Sequence, residues 1–343
     1  MGNNDWAAID RGDLDAVARV VRNWLAADSP LYQLFTARIA GDPDMLRLVG
    51  GIDNVPPLNL LYGGVQLMLT PADALARWYP RHGGHQEASD EAYTAFREFA
   101  LDRREELLHI GRTRRTQTNE VGRSAILLPF IARALAVGEG PVHAVDVGAS
   151  AGLNLCLDRY AYDYSGVRVG GGPLTLACDN RGGFAVPGQG LPDGLPTFAS
   201  RTGLDLAPVD VADPDAVAWL EALVWPEQNG RLERLRAAIA IRRETPVTMV
   251  DGDAVETLPR VEAALGEGTL LLWHTVALYQ LTADQNAAFD DAVARIAERR
   301  RVIRIAFEAP ELSDYPDVRI GLAPTREAPI AVGHPHGAWL DRP

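Results

Sequence analysis

Apolar positions in the first third of the chain recur at helical spacing. In "DLDAVARVVRNWLAA", Leu14, Val17, Val20, Val21 and Leu25 fall near a 3.6-residue period behind an Asp13 cap. "SPLYQLFTARIAG" follows, with Ser29 as cap, Pro30 at the first helical position and Gly41 as stop. "PLNLLYGGVQLMLT" is apolar almost all round, the mark of a helix buried inside a bundle. "SDEAYTAFREFALDRREELLHI" sets Phe96, Phe99, Ala100 and Leu107 on one face and predicts another helix. A further helix is predicted in "TQTNEVGRSAILLPFIARALAVG", from a Thr118 or Asn119 cap to Gly138. No run of alternating strands is expected before residue 140.

Beyond residue 140 the pattern changes. "PVHAVDVG" reads as a strand, leading through a tight turn into a helix in "AGLNLCLDRYAYDY". A Gly- and Pro-rich section near 165–203 carries turn signals at short spacing and predicts a hairpin insertion. Next come a short strand in "RTGLDLAPVDV" and two helices, "DPDAVAWLEALVW" and "PEQNGRLERLRAAIAI". Strand and helix then alternate through "TPVTMVDGD", "AVETLPRVEAAL", "GTLLLWHTVALY", "TADQNAAFDDAVARIAERR" and "RVIRIAFEA", before a tail that reads as an antiparallel pair. Such alternation implies an α/β architecture, a mostly parallel sheet covered on both faces. The expected organisation is a helical domain over 1–114 and a sheet domain over 115–343. Trp219, Trp225 and the Tyr160-Tyr162-Tyr164 series are expected at the core and rim of the insertion. In parallel sheets ligands bind at the carboxyl ends of the strands, near the point where strand order reverses.

Composition narrows the function classes. Hydrophobic residues make up 47% and charged residues 23%, as in a globular enzyme. A formal charge of −13 disfavours nucleic acid as partner, since phosphate binding needs a concentrated basic surface. The basic clusters "RTRR" and "ERRR" read as solvated helical faces. Cys156 and Cys178 are the two cysteines, too few for a disulfide framework or a four-cysteine metal site, and no metal is expected. No apolar run reaches the length of a spanning helix, and the opening residues lack the pattern of a signal peptide, so the expectation is a cytoplasmic protein without membrane contact.

The chemistry concentrates in "VHAVDVGASAGLNL", which supports two readings. Gly148-Ala-Ser150-Ala-Gly152 is G-x-S-x-G, the elbow of a serine nucleophile. Asp251 or Asp253 would then orient His274, His334 or His336, and "RHGGH" imitates an oxyanion-hole motif. That elbow normally follows several strands, which residues 1–140 do not supply, and Asp146 would bury a charge at the strand end. In the second reading, Gly148 lets the backbone turn, Ser150 and Gly152 keep the side chains small, and the amides that follow point at a cofactor. A dinucleotide would want an acid about 20 residues on to hold its ribose. That position falls in "RYAYDY".

The pattern as a whole resembles class I S-adenosylmethionine-dependent methyltransferases. Asp146-Val-Gly148-Ala-Ser150-Ala-Gly152 stands where that superfamily has its acidic, glycine-rich first motif, with Ser150 replacing the usual central glycine. "GLDLAPVDV" resembles the motif whose acid holds the ribose hydroxyls, which maps to Asp205; with the long spacing, Asp179 of "LACDN" is the alternative. "VDGDAVETL" resembles the later motif whose acid contacts the adenine amino group, which maps to Asp253 followed by Ala254. The resemblance thus implies a Rossmann-like methyltransferase fold with a final antiparallel strand, preceded by an all-helical domain. It also implies S-adenosylmethionine as cofactor, held by these residues with Asn119 and Asn154, and a small-molecule methyl acceptor. More narrowly, the chain is similar to an uncharacterised bacterial family of the DUF2332 type, through "SPLYQLFTARIAGDP", "RTRRTQTNEVGRSAILLP", "VDVGASAGLNL", "RTGLDLAPVDV" and "GHPHGAWL".

Other residues carry weaker signals. "QTNE" either caps a helix or covers the cofactor with its polar side chains. His274, Tyr279 and Glu308 lie at or just beyond the carboxyl ends of strands, and His274, Glu120 and Tyr279 are the acceptor-side candidates. His334-Pro-His336 without nearby carboxylates reads as structural rather than metal-binding. A cofactor-binding protein without catalysis and a serine hydrolase remain the alternatives.

Overall fold

The computed structural model describes residues 6, 8–24, 29–136, 140–308, 317–322 and 329–343. Leu25 and Gly138 lie outside them. The chain divides into two compact units, Met1–Thr118 with Pro214–Glu233, and Asn119–Asp213 with Arg234–Pro343.

The first unit contains α1 (Leu14–Asn23), α2 (Pro30–Ile39), α3 (Pro43–Gly50), α4 (Pro57–Met68), α5 (Asp90–Asp102) and α6 (Arg104–Thr113). Asp13 caps α1 through the amides of Asp15 and Ala16, and Ser29 caps α2 through that of Tyr32. The segment 90–113 is two helices rather than one, broken at Arg103. Among the described residues no strand precedes Val142. The sequence reading placed 214–233 in the sheet domain, but this segment clusters with the helices. Trp219, Ala222 and Leu223 join their core, and Gln66 Nε2 donates to the carbonyls of Ala222 and Val224 at 2.9 and 2.7 Å. Trp219 is therefore not part of an insertion rim. The packing explains why: a Cβ on Gly63 would stand 3.0 Å from the Trp219 ring, so α4 meets the indole there without a side chain of its own.

The second unit opens with α7 (Arg123–Leu135), which starts later than the Asn119 cap predicts because a turn at 121–122 comes first. Strands follow: β1 (Val142–Val147), β2 (Ala161–Tyr164), β3 (Val167–Val169), β4 (Thr175–Asn180), β5 (Val186–Pro187), β6 (Gly190–Leu191) and β7 (Ser200–Asp205). After α8 (Pro214–Ala222), which belongs to the first unit, and α9 (Asn229–Glu244), the order is β8 (Thr248–Asp251), α10 (Ala254–Ala264), β9 (Thr269–Thr275), α11 (Ala283–Ala297), β10 (Val302–Glu308), β11 (Asp317–Leu322), β12 (Ala331–Gly333) and β13 (Trp339–Asp341). The main sheet runs β3-β2-β4-β13-β12-β11-β10-β9-β1-β7-β8. Strands β8, β7, β1, β9 and β10 are parallel, and β11, β12 and β13 each reverse direction on the neighbour before.

Two expectations in this unit are corrected. The helix expected over "AGLNLCLDRYAYDY" is confined to a 3-10 helix of 7 residues, Leu153–Arg159, and β2 follows. The section 165–203 is not a looped-out hairpin either. The hairpin is β2–β3, turning at Ser165-Gly166, and β4 pairs parallel with both β2 and β13 as part of the main sheet. Tyr162 and Tyr164 lie buried on one face of β2 and Tyr160 is buried just before it, so the tyrosine series is core.

Alternation along β1 and β9 decides which residues can form a site, because neighbours on a strand face opposite sides of a sheet. Val145, Val147, Leu270 and Leu272 face α10 and α11, packing on Leu258, Val261, Phe289, Val293 and Ile296. Asp146 and its register partner Trp273 therefore face the other side, where α7 packs on β4 and β10.

Candidate functional site

Strand order reverses at β1: the chain continues to β7 and β8 on one flank and to β9 and β10 on the other. The loops leaving β1, β7, β8 and β9 thus meet at one end of the sheet.

The turn after β1 alternates its backbone. Gly148, Ser150 and Gly152 have φ of 76°, 53° and 71°, a left-handed conformation that costs a residue with a Cβ. Gly148 is required twice over, since a Cβ there would stand 2.5 Å from the Ala277 Cβ in the loop leaving β9. The turn is fastened to the end of β7. Gly148 N and Ala149 N donate to Leu204 O at 2.8 and 3.1 Å, and Ser150 N donates to Asp205 Oδ2 at 2.7 Å. Gly252 N donates to Asp205 O at 3.0 Å, which draws in the loop leaving β8. There Asp253 caps α10 through the amides of Val255 and Glu256, with Ala254 as its first residue. Asp179 lies in β4, where its carboxylate accepts from Arg181 and Ser165. Leu206, next to Asp205, and Tyr279, beyond β9, are 60% and 59% exposed.

Beneath the turn, Asp146 is 1% exposed, and its carboxyl is pushed up to about 8. Burial is the main cause, the Trp273 indole opposes it, Asp205 adds repulsion, and Arg123 pulls down. The indole influences the carboxyl without hydrogen-bond geometry: Asp146 Oδ2, Trp273 Nε1 and Ser150 Oγ are all buried without a hydrogen-bond partner. Such groups normally find protein, water or ligand.

Residues 119–124 lie against this end of the sheet. Asn119 Oδ1 accepts from Leu153 N at 3.0 Å, and Ser124 Oγ donates to Asn154 Oδ1 at 2.8 Å. Arg123 donates from Nη1 to Thr275 O at 2.8 Å and from Nε to Pro335 O at 2.9 Å, tying the end of β9 to the tail. Glu120 is buried and accepts from Gly122 N at 3.0 Å.

His274 is placed differently from the other candidates. It faces the α11 side, with its ring edge on Phe289. Nδ1 donates to Glu308 Oε1 at 2.8 Å, and Nε2 accepts from Arg304 at 3.1 Å, with Arg304 held by Asp290 at 2.6 Å. Arginine only donates, so His274 is neutral and both its nitrogens are engaged. Glu308 also accepts the amides of Ala277 and Leu278. Burial pushes its carboxyl up, but His274 and these amides pull further, leaving it below the usual range. The network braces a loop in which Val276 has φ of 49°, an unusual conformation for a β-branched residue. His274 is a brace rather than a free base.

Sequence reasoning passed over Arg123, Ser124 and Trp273 as site residues, and it weighed His336 as a base for the hydrolase reading or as structural, not as an acceptor-side residue. Arg123 and His336 stood inside the quoted motifs "TNEVGRS" and "GHPHGAWL". Trp273 was signalled only by its register opposite Asp146.

Among the described residues no cluster of His, Cys, Asp and Glu could hold a metal ion, and no helix is long and apolar enough to cross a membrane. A family model described as "Uncharacterized protein conserved in bacteria (DUF2332)" matches residues 15–342. A search of the curated proteins found no match.

Proposed function

The chain belongs to the DUF2332 family of bacterial proteins, and we propose that its sheet unit binds S-adenosylmethionine and directs methyl transfer to a small molecule. The observation that carries this reading is the clasp between Asp205 and the Ser150 amide at the point where strand order reverses. The order β8-β7-β1-β9-β10 with an antiparallel β11 supports a Rossmann-like methyltransferase fold.

The residues present fit the cofactor. Asp146 Oδ2, Ser150 Oγ and Trp273 Nε1 are buried polar atoms in want of partners, and Gly148 and Gly152 leave the turn bare of side chains. Asp205, at the end of β7, is the acid for the ribose hydroxyls, Leu206 offers an apolar face to a base, and Asp253 with Ala254 lies at the adjoining loop. Asn119 and Asn154 hold the 3-10 turn after Gly152 in place. When bound, S-adenosylmethionine supplies a methyl group on a sulfonium, open to direct displacement. The chain's own contribution is alignment, exclusion of water and acceptance of a proton from the acceptor. Glu120 and Tyr279 remain acceptor-side candidates. The acidic chain favours a small acceptor over nucleic acid, in a cytoplasmic setting.

A second reading, cofactor binding without catalysis, is favoured by the full engagement of His274. Calorimetry on the full chain with S-adenosylhomocysteine and with NAD tests the proposal. Heat with the first and none with the second supports it, and the reverse overturns it.

A further inference from the structure

The tail brings a histidine onto the turn that precedes α7. His336 Nδ1 stands 3.1 Å from Glu120 Oε2, an ion-pair distance, with the ring turned off the direct hydrogen-bond line. Unliganded sites often show catalytic hydrogen bonds poorly aligned in this way. The Glu120 side chain is 1% exposed and that of His336 27%. Nδ1 is buried against the carboxylate, which leaves Nε2 as the nitrogen turned outward.

The backbone holds this arrangement from both sides. A Cβ on Gly122 would stand 2.3 Å from His336 O, and one on Gly337 2.1 Å from Gly122 O, so the two segments meet where neither has a side chain. Gly337 has φ of 76°, and its N–H donates to His334 O at 2.8 Å. The His336 N–H donates to His334 Nδ1 at 3.1 Å, and Arg123 grips the preceding carbonyl of Pro335. Glu120, Arg123 and His334 are thus charged or titratable groups that contact the His336 segment. Asn119, next to Glu120, bonds the Leu153 amide, and Arg123 bonds the end of β9, so the pair sits beside the loops leaving β1 and β9.

We propose that His336 is the proton acceptor for the methyl-accepting molecule, with Glu120 as the carboxylate that orients it. The inference rests on the methyltransferase reading above. It implies an acceptor with an O–H, S–H or N–H nucleophile. That bond breaks with its electron pair left on the heteroatom, and the proton passes to His336 Nε2. A buried carboxylate on Nδ1 fixes the tautomer that leaves Nε2 bare, and it balances the charge the ring gains.

The test uses the full chain and two probes. Long-range proton–nitrogen NMR, with the His336 signal assigned by its loss in His336→Gln, should show Nδ1 protonated and Nε2 bare in the neutral ring. The reverse tautomer overturns the role of Glu120. Diethyl pyrocarbonate labelling, located by mass spectrometry, should modify His336 and slow at least five-fold when S-adenosylhomocysteine is bound. Undiminished labelling of His336 with calorimetric binding intact places His336 away from the reacting atoms and overturns the proposal. Failure of S-adenosylhomocysteine to bind instead overturns the methyltransferase reading, while the tautomer still decides whether Glu120 orients the ring.

Discussion

Asp205 Oδ2 accepts the Ser150 backbone N–H at 2.7 Å, and its Oδ1 accepts that of Ala207 at 2.9 Å. One carboxylate thereby shapes the turn after β1 and its own exit from β7. Asp205→Asn should weaken S-adenosylhomocysteine binding by about 1.5–3 kcal/mol, the range for hydrogen bonds to charged groups. Asp179→Asn should leave the affinity unchanged in the same calorimetric titration. A loss confined to Asp179→Asn would reverse the assignment.

The raised Asp146 carboxyl makes stability fall as pH rises. The folded chain keeps a proton up to about 8 that the unfolded chain loses near the ordinary aspartate value of ~3.9. Stability should therefore decline between those limits, by up to about 1.4 kcal/mol per pH unit, and level off above them. Urea unfolding at pH 5, 6, 7 and 8 should show this slope in the native chain and a flatter line in Asp146→Asn.

Glu308 has the opposite sign. Its folded carboxyl lies below the usual range, so its contribution is complete above about pH 4.3 and is lost as pH falls further. Glu308→Gln should cost about 1.5–3 kcal/mol at neutral pH and blunt the loss on acidification, both read from unfolding curves. Equal acid sensitivity in the two proteins would show that the brace at the loop after β9 is unimportant.

Gly148→Ala should destabilise by at least about 1–2 kcal/mol from left-handed backbone alone, before the approach to Ala277 is counted. Ser150→Ala, at a position that already carries a Cβ, should stay near the native unfolding midpoint. A fluorophosphonate should leave Ser150 unlabelled, because its Oγ is buried and hydrogen-bonded to no base. Labelling would turn the reading toward a hydrolase.

Much of this end of the sheet was legible in the chain. Glycines at 148 and 152 announce a turn, and the acid of "GLDL" foretells something gripped at the end of β7. The caps at Asp13 and Ser29 are local chemistry, which short stretches display in full. "YAYDY" was misjudged as helix although its buried tyrosines recur every second residue before Ser165-Gly166, the signal of a hairpin. The face of His274 was not legible, because it depends on which side of β9 the helices α10 and α11 cover. The pairing of Glu120 with His336 joins residues far apart in the chain, and no local pattern reports it.

The segment 214–233 has a consequence for synthesis. N-terminal domains commonly fold first as the chain leaves the ribosome, but the core of this one includes Trp219 and Leu223. The opening helices must wait, with apolar surface uncovered, until β1 to β7 have already been made. A nascent chain halted before residue 214 should therefore call for chaperones along its first hundred residues.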